Sequence, residues 1–388
     1  MPLAVFVLGL SVFALGTSEF MITGLLPGMA ADLGVSIPDT GLLISAFAIG
    51  MVVGAPLLAI GTLRLPRRRT LLALLGVFVV AHVVGALAEG YALLFATRVV
   101  AALACAGFWA VAAATTIALV PVDRRGRAMA VLVGGLTVAN VAGVPAGTFL
   151  GQHAGWRAAF WAVAVVTLVA VAGVAALVPE TTGGAVSVRG ELRLYRRGRV
   201  WLALGVIALA QAMIFAAFSY LAPLLTETNG LPEAWVPGVL ALFGVGALIG
   251  ISAGGRLADR RPIATLYGCL GLALAALLVL ALTTDALVAV AAVLVFGVAG
   301  FGANPALNVR AYQAAGDAPT LVGASTTAAF NVGNTIGPWL GGVAIGAGLG
   351  FPSVAWTGIA LGAATLAALT VAAVVQRTDD RDREPVAA

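Results

Sequence analysis

The sequence predicts an all-α membrane protein whose twelve transmembrane helices form two pseudo-symmetric six-helix bundles. Composition is the first observation behind this prediction. Of the 388 residues, 61% are hydrophobic and 10% are charged, whereas about a quarter of the residues of a soluble domain are charged. The second observation is a series of long apolar runs, and the third is an internal repeat. A chain this apolar cannot cover its surface with polar groups, so we expect lipid to be its solvent.

Twelve apolar runs follow one another, and most are at least as long as the roughly 20 residues that cross a bilayer as a helix. We expect each to be helical, because a lipid-exposed segment must satisfy its own backbone hydrogen bonds. In chain order, the runs cover 3–27, 41–63, 70–88, 91–120, 128–150, 157–178, 201–226, 236–257, 262–283, 286–309, 320–347 and 353–375.

The positions of the basic residues predict the orientation. All 21 basic residues are Arg. If the N-terminus is cytoplasmic, all of them except Arg98 in helix 4 and Arg157 at the start of helix 6 fall on the cytoplasmic side. Such an excess is typical of cytoplasmic loops. We therefore expect a multi-pass protein of the inner or plasma membrane with both termini cytoplasmic, and no nucleic-acid partner.

The predicted domain boundaries follow from the polar segments. An N-terminal six-helix bundle covers 1–178, an Arg-rich cytoplasmic linker 179–200, a C-terminal six-helix bundle 201–376 and a short charged cytoplasmic tail 377–388. We expect the chain to act as a monomer.

The two predicted bundles repeat each other's sequence features. Pro27 and Pro223 stand near the ends of helices 1 and 7, and Pro145 and Pro338 stand near the middle of helices 5 and 11, at nearly the same separation. An Arg-rich loop follows both helix 2 and helix 8. Duplicated halves with a site between them at mid-membrane are a transporter architecture.

Three motifs identify the chain as resembling the major facilitator superfamily. They are the loop segment GRLADR at 255–260, Arg98 in helix 4, and GNTIGPWLGG at 333–342 in helix 11, with a looser form, GVPAG, at 143–147 in helix 5. The nearest branch is that of the twelve-helix drug:proton antiporters. Within that branch, GTSEFMITGLLP at 16–27, SAFAIGMVVGAPLL at 45–58 and GWRAAFW at 155–161 resemble a subgroup that contains actinomycete chloramphenicol-resistance exporters and sugar-efflux proteins.

The loop motif and the Gly and Pro residues are the predicted gating and hinge elements. The resemblance implies a gating role for Asp259 and Arg260, and for Arg64 in the first copy of the loop, where Leu63 replaces the motif's Asp. Gly permits close helix approach, and Pro bends a helix by removing a hydrogen bond. The predicted hinge residues are Gly143, Pro145, Gly147, Gly337 and Pro338. Ordinary small-residue packing is the alternative interpretation.

Glu19 is the predicted proton site, because it is the acidic residue that lies deep inside a span. An ionisable group within the membrane is expensive and usually functional. The alternative is a neutral, hydrogen-bonded Glu that holds helices together. Arg98 is its predicted partner, since both residues lie about 10 to 12 Å below the outer surface. An Arg does not release its proton, so we expect Arg98 to tune Glu19 or to hold substrate. A structural ion pair or a snorkelling side chain is the alternative.

Amides and aromatic side chains are the predicted lining of a substrate cavity. Amides suit a neutral polar ligand, and apolar pockets with a few polar groups suit drug-sized compounds. Interhelical hydrogen bonding is the alternative role of the amides. The cavity residues are Asn140, Gln211, Asn331, Asn334, Phe215 and Trp109.

The expected function is proton-driven export of a small amphipathic compound, with chloramphenicol as the first candidate and a sugar or sugar phosphate as the second. We expect no cofactor, no metal site and no enzymatic activity. A P-loop ATPase is disfavoured because the chain has no Lys. A membrane-embedded lipid transferase is disfavoured because the acids are scattered, and a channel because a duplicated single chain fits alternating access better. His82 and His153 are interpreted as structural or interfacial.

Overall fold

A computed structural model describes residues 1–62, 65–180, 198–315 and 319–381, and every regular element in these ranges is helical. Arg64, most of the predicted linker 179–200 and the last residues of the predicted tail 377–388 lie outside the described residues.

The first six helices form one bundle. Their bounds are Leu3–Phe20 and Ile22–Leu33 for α1, Ile37–Gly61 for α2, Arg67–Ala86 for α3, Tyr91–Ala118 for α4, Arg125–Val138, Ala139–Gly143 and Val144–Ala154 for α5, and Trp156–Leu177 for α6.

The next six helices form a second bundle. Their bounds are Gly198–Phe218 for α7, which continues through Leu221–Pro223 and Leu224–Thr228, Val236–Arg260 for α8, Pro262–Leu282 for α9, Ala286–Gly302 and Asn304–Ala315 for α10, Pro319–Ala344 and Ile345–Leu349 for α11, and Ser353–Arg381 for α12.

Eleven of these helices contain a described stretch that is long and apolar enough to cross a membrane. The remaining helix, α11, has 26 residues in its main segment, which is enough to span a bilayer. It is more polar than the others because it carries Asn331, Asn334 and several threonines. Much of α11 packs between α2 and α7 rather than facing lipid.

Helix pairing repeats from one bundle to the other. In the first bundle, α1 packs on α5 and α6, α2 on α4, and α3 on α4 and α6. In the second, α7 packs on α11 and α12, α8 on α10, and α9 on α10 and α12. The bundles meet where α2 contacts α11 and where α8 contacts α5. The same repeat relates these two interfaces, so the predicted two-bundle pseudo-symmetry is confirmed.

Prolines shape two of the helices differently from the sequence prediction. The expected end of helix 1 at Pro27 is wrong, because α1 continues to Leu33 and ends at Gly34, whose φ is 64°. A proline is tolerated inside a membrane helix when neighbouring helices support it. In α5, a π turn at Ala139–Gly143 comes directly before Pro145, where the missing N–H interrupts the regular hydrogen-bond ladder.

Contacts between the bundles concentrate in one half of the membrane. We call the end that carries the arginines of the α2–α3, α4–α5 and α8–α9 connections the Arg-rich face, and the other end the opposite face. Ser45 Oγ on α2 donates to Thr335 O on α11 at 3.0 Å, and Gln152 Nε2 on α5 donates to Glu233 O at 2.7 Å. Each of these residues is nearer the opposite face along its helix. The described contacts therefore close the bundles together on that side.

Candidate functional site

Glu19 lies one residue from the end of the first segment of α1, beside the helix break at Met21. Its side chain is half-buried. Among the described residues, no hydrogen bond or ion pair forms on its carboxylate, although its charge interacts with that of Arg98. A carboxylate at this depth without a neutralising hydrogen bond is poorly suited to a purely structural role.

Arg98 on α4 is almost completely buried, with 1% of its surface exposed. Its NH1 donates to Ser18 Oγ at 2.8 Å, and its guanidinium carbon lies 4.4 Å above the centre of the Phe47 ring. Its Nε and NH2 atoms are buried and have no hydrogen-bond partner among the described residues. Arg98 thus forms no ion pair with Glu19, and two of its donor groups are left without a partner in this conformation.

Ser18 connects Arg98 to a histidine that the sequence analysis did not place in the site. His82 on α3 is 1% exposed, and its Nε2 lies 2.6 Å from Ser18 Oγ. Its Nδ1 lies 2.8 Å from Phe78 O, one turn earlier in the same helix. Two features could have suggested this pairing: Ser18 directly precedes Glu19, and His82 is a polar residue within an apolar span. The pairing itself depends on how α1, α3 and α4 face each other.

This arrangement gives Glu19 and Arg98 different chemical abilities. A buried, incompletely bonded guanidinium is expensive, and such exceptions usually have a functional reason. Arg98 keeps its proton and so acts as a fixed positive charge. The Glu19 carboxylate beside it can gain or lose a proton when the surrounding cavity becomes wet or dry.

The predicted amides do not form one cluster with Glu19. Asn140 Nδ2 donates to Leu136 O at 3.1 Å, and Asn331 Nδ2 donates to Thr327 O at 3.0 Å, each within its own helix. Asn331, Asn334 and Gln211 are nearly buried, and each has a buried side-chain oxygen without a partner among the described residues. The second bundle therefore contributes amide oxygens without a partner, whereas the first contributes charged groups.

An aromatic contact joins the bundles next to Glu19. The rings of Phe20 on α1 and Phe215 on α7 lie 5.6 Å apart. Phe215 also contacts Phe218, whose ring stacks on Phe243 of α8 at 4.4 Å. The predicted cavity residue Trp109 lies elsewhere, partly buried against the core from α4. Phe215 therefore contacts the aromatic residue that follows Glu19 in the chain.

The predicted hinge glycines pack within each bundle. A Cβ on Gly143 would collide with Thr17 of α1, and a Cβ on Gly147 would lie 3.2 Å from Met21. A Cβ on Gly337 would lie 2.6 Å from Ala212 O on α7. The absence of a Cβ at these three glycines therefore permits the close α1–α5 and α7–α11 contacts within each bundle.

The predicted gating residues lie on the Arg-rich face. Asp259 and Arg260 are exposed at the end of α8, and neither forms a salt bridge within the described part of the chain. In the first copy of the loop, Arg67 NH1 donates to Ala114 O at 3.1 Å and Arg68 donates to Ala175 O. These arginines satisfy carbonyls near the C-terminal ends of α4 and α6, where cations are favourable.

The family model described as Major Facilitator Superfamily matches residues 8–329. A protein of Streptomyces lividans named "Chloramphenicol resistance protein" is 44% identical over 383 residues, which covers 97% of each chain. A "Probable sugar efflux transporter" of Mannheimia succiniciproducens is 28% identical and covers 93% of this chain and 91% of its own.

The fold also matches a solved structure. A bacterial homologue of the human lysosomal transporter Spinster, in an inward-facing and unoccupied conformation, superposes with a TM-score of 0.74 at 19% identity. The match covers 99% of this chain and 98% of the other. At this identity the likeness concerns the fold.

Proposed function

We propose that this chain, which belongs to the Major Facilitator Superfamily, exports chloramphenicol in exchange for protons. The observation that carries the proposal is Glu19, a half-buried carboxylate deep in the membrane beside the buried cation Arg98. In this mechanism Glu19 binds a proton from the outer side and releases it to the cytoplasm, while the two bundles rock about the substrate.

The geometry supports a neutral amphipathic substrate. The unpaired Arg98 donors would hold an acceptor group of the drug, and the buried amides of α7 and α11 would bond to its hydroxyl or amide groups. Phe20 and Phe215 would pack against its aromatic ring. The relationship to the Streptomyces protein supports chloramphenicol as the specific compound.

The proposed orientation places the Arg-rich face in the cytoplasm, with both termini on that side of the inner or plasma membrane, and the chain as a monomer. The described bundle contacts lie near the opposite face. In this orientation the described conformation would load drug from the cytoplasm, as an exporter requires.

The test is chloramphenicol accumulation in a sensitive bacterial host, measured with and without a protonophore. We expect the wild-type chain to lower accumulation and the protonophore to abolish that effect. Glu19→Gln should behave like the empty host, whereas Glu89→Gln, which changes an exposed carboxylate outside the site, should behave like wild type. An inserted wild-type chain that leaves accumulation unchanged would contradict the substrate assignment.

Sugar or sugar-phosphate efflux is the second candidate, because a sugar-efflux relative aligns along most of the chain. Several amide oxygens without a partner could accept hydrogen bonds from a hydroxyl-rich ligand. Efflux of a radiolabelled non-metabolisable sugar from the same cells distinguishes the two candidates. Sugar efflux with unchanged drug accumulation would favour the second.

A further inference from the structure

Ser18 and His82 form a hydrogen-bond chain whose direction can be determined from its ends. Phe78 O can only accept, so His82 Nδ1, which lies 2.8 Å away, carries a proton and donates it. At the other end, Arg98 NH1 can only donate, so Ser18 Oγ accepts from it. Between them, Ser18 Oγ lies 2.6 Å from His82 Nε2, and the Ser hydroxyl donates to this nitrogen when the imidazole is neutral.

The hydrogen-bond chain therefore runs from Arg98 through Ser18 and His82 to the backbone of α3, with each group donating to the next. A proton on both ring nitrogens would bring a second buried cation next to Arg98, with no acid bonded to either. Because Nδ1 carries the proton that is donated to Phe78 O, the favoured form is the neutral imidazole with an unprotonated Nε2. The ring is held on its other sides by Phe78 and Phe160, whose centroids lie 4.2 and 5.6 Å away.

We infer that Ser18 and His82 are positioning residues that hold the Arg98 guanidinium beside Glu19. This inference rests on the proposed proton-coupled export, because it explains how the site keeps its cation in place without a direct carboxylate contact. Within the described residues, the bond to Ser18 is the one side-chain hydrogen bond of Arg98. Without it, the guanidinium would keep its position over Phe47 and its charge interaction with Glu19, but no directional hydrogen bond.

Two substitutions of His82 separate its two ring nitrogens. In His82→Gln, the side-chain oxygen can occupy the position of Nε2 and accept from Ser18. In His82→Asn, the amide can replace Nδ1 and donate to Phe78 O, but nothing replaces Nε2 as acceptor. We expect His82→Asn and Ser18→Ala to reduce the export rate about tenfold, the order expected when a charged group loses a hydrogen bond. His82→Gln should keep most of the activity.

His153 provides a matched control within the same chain. Its Nδ1 lies 2.8 Å from Phe149 O, and its ring lies 4.1 Å from that of Phe149. These contacts reproduce those of His82 with Phe78, but His153 is exposed. His153→Asn should therefore leave export unchanged. Equal losses from His153→Asn and His82→Asn would overturn the inference.

A double-substitution test separates positioning from simple helix packing. If Ser18 and His82 act through Arg98, then adding His82→Asn to Arg98→Lys should cause no further loss of export. A packing role predicts that the two losses multiply, which would contradict the inference.

Nitrogen NMR tests the hydrogen-bond chain from Arg98 to Phe78 O without any transport measurement. The protein has two histidines, so the His153→Asn variant, with histidine labelled by ¹⁵N and the protein in lipid nanodiscs, reports His82 alone. We expect a neutral ring with the proton on Nδ1 at pH 7, and a shift of the Nε2 signal in Ser18→Ala. A proton on Nε2, or no response to Ser18→Ala, would overturn the inference. Failure of chloramphenicol export alone would instead count against the proposed substrate.

Discussion

The two bundles share their helix pairing but differ in what they place at the centre. Glu19 in α1 and Phe215 in α7 stand at the same distance before the paired prolines Pro27 and Pro223. The first bundle thus has a carboxylate near a guanidinium, and Ser18 connects that guanidinium to a histidine. The second has an aromatic ring at the corresponding place, and its α10 segment Ala286–Gly302 carries no charged residue.

This difference shows how the two halves of a duplicated fold can take different chemical roles. Charged groups are expensive in the membrane and need partners, so concentrating them in one bundle limits the cost. The other bundle remains apolar, with scattered amides that suit a neutral ligand. In the proposed function, the first bundle handles the proton and the second contributes much of the drug contact.

The largest expected effect on export comes from substituting Arg98, the buried arginine of the first bundle. Arg98→Gln should lower the export rate more than tenfold, because it removes a buried cation and leaves Ser18 and Glu19 without it. Arg157→Gln is the matched control, since Arg157 is partly exposed and binds Asp32 away from the site. Initial rates in proteoliposomes with an imposed proton gradient provide the measurement. Equal effects of both substitutions would mean that burial does not matter.

The second prediction compares the glycines of the two repeats. Gly337→Ala forces a Cβ to within 2.6 Å of the backbone oxygen of Ala212, which cannot rotate away. Overpacking of this kind costs about 1–3 kcal/mol. Gly143→Ala collides with the Thr17 side chain instead, so Thr17→Ala should recover part of its loss.

Thermal unfolding of the purified protein in detergent measures both glycine effects. Gly205→Ala is the control, because its Cβ would meet nothing within 4 Å and Ala is the better helix former. If a side-chain substitution on α7 restored the melting temperature of Gly337→Ala, that result would contradict the proposed backbone clash.

The third prediction concerns Phe215, the counterpart of Glu19. Phe215→Leu removes the ring–ring contact with Phe20 and leaves a smaller apolar side chain at this position. The substitution changes no charged group. We expect the KM for chloramphenicol to rise severalfold, while export remains fully sensitive to a protonophore, because one aromatic pair contributes about 0.5–1.5 kcal/mol. Export that no longer needs a proton gradient would show that the second bundle also carries coupling.

The smallest effect is expected at the outer end of the first bundle, where Asp32 joins α1 to α6. The two segments of α1 are together about 45 Å long, so Asp32 in the last turn lies beyond the roughly 30 Å hydrocarbon layer. Its Oδ2 accepts from Arg157 and, at 2.9 Å, from Trp156 Nε1. The Arg157 hydrogen bond is the main cause that lowers the pKa of Asp32 below its ordinary value of 3.8.

A lowered carboxyl pKa stabilises the folded state above the ordinary pKa. This contribution is lost as the pH falls through the folded-state value. Because the pair is partly exposed, Asp32→Asn should cost less than about 1 kcal/mol at pH 7. The difference in melting temperature from wild type should shrink as the pH falls below 4. A constant difference would show that the charge of Asp32 is not involved.

Sequence reasoning predicted more of the fold than of the site. Membrane crossing and the repeat were predicted correctly because both depend on local apolar runs. The end of helix 1 was not, because neighbouring helices support Pro27 within the helix. Glu19 and Arg98 could be selected from the sequence because charge inside a span is rare. His82 could not, since a single histidine in an apolar helix has many possible neighbours.

The sequence by itself determined that lipid surrounds this protein, the number and order of its helices, and which charged side chains lie within the membrane. These properties follow from the cost of placing charges and unpaired backbone groups in lipid. Only the tertiary structure decided that Ser18 joins Arg98 to His82, that the glycines pack within bundles, and that Phe215 faces Phe20. Such contacts depend on how each helix is rotated about its axis. That rotation is set by the packing of helices far apart in the chain.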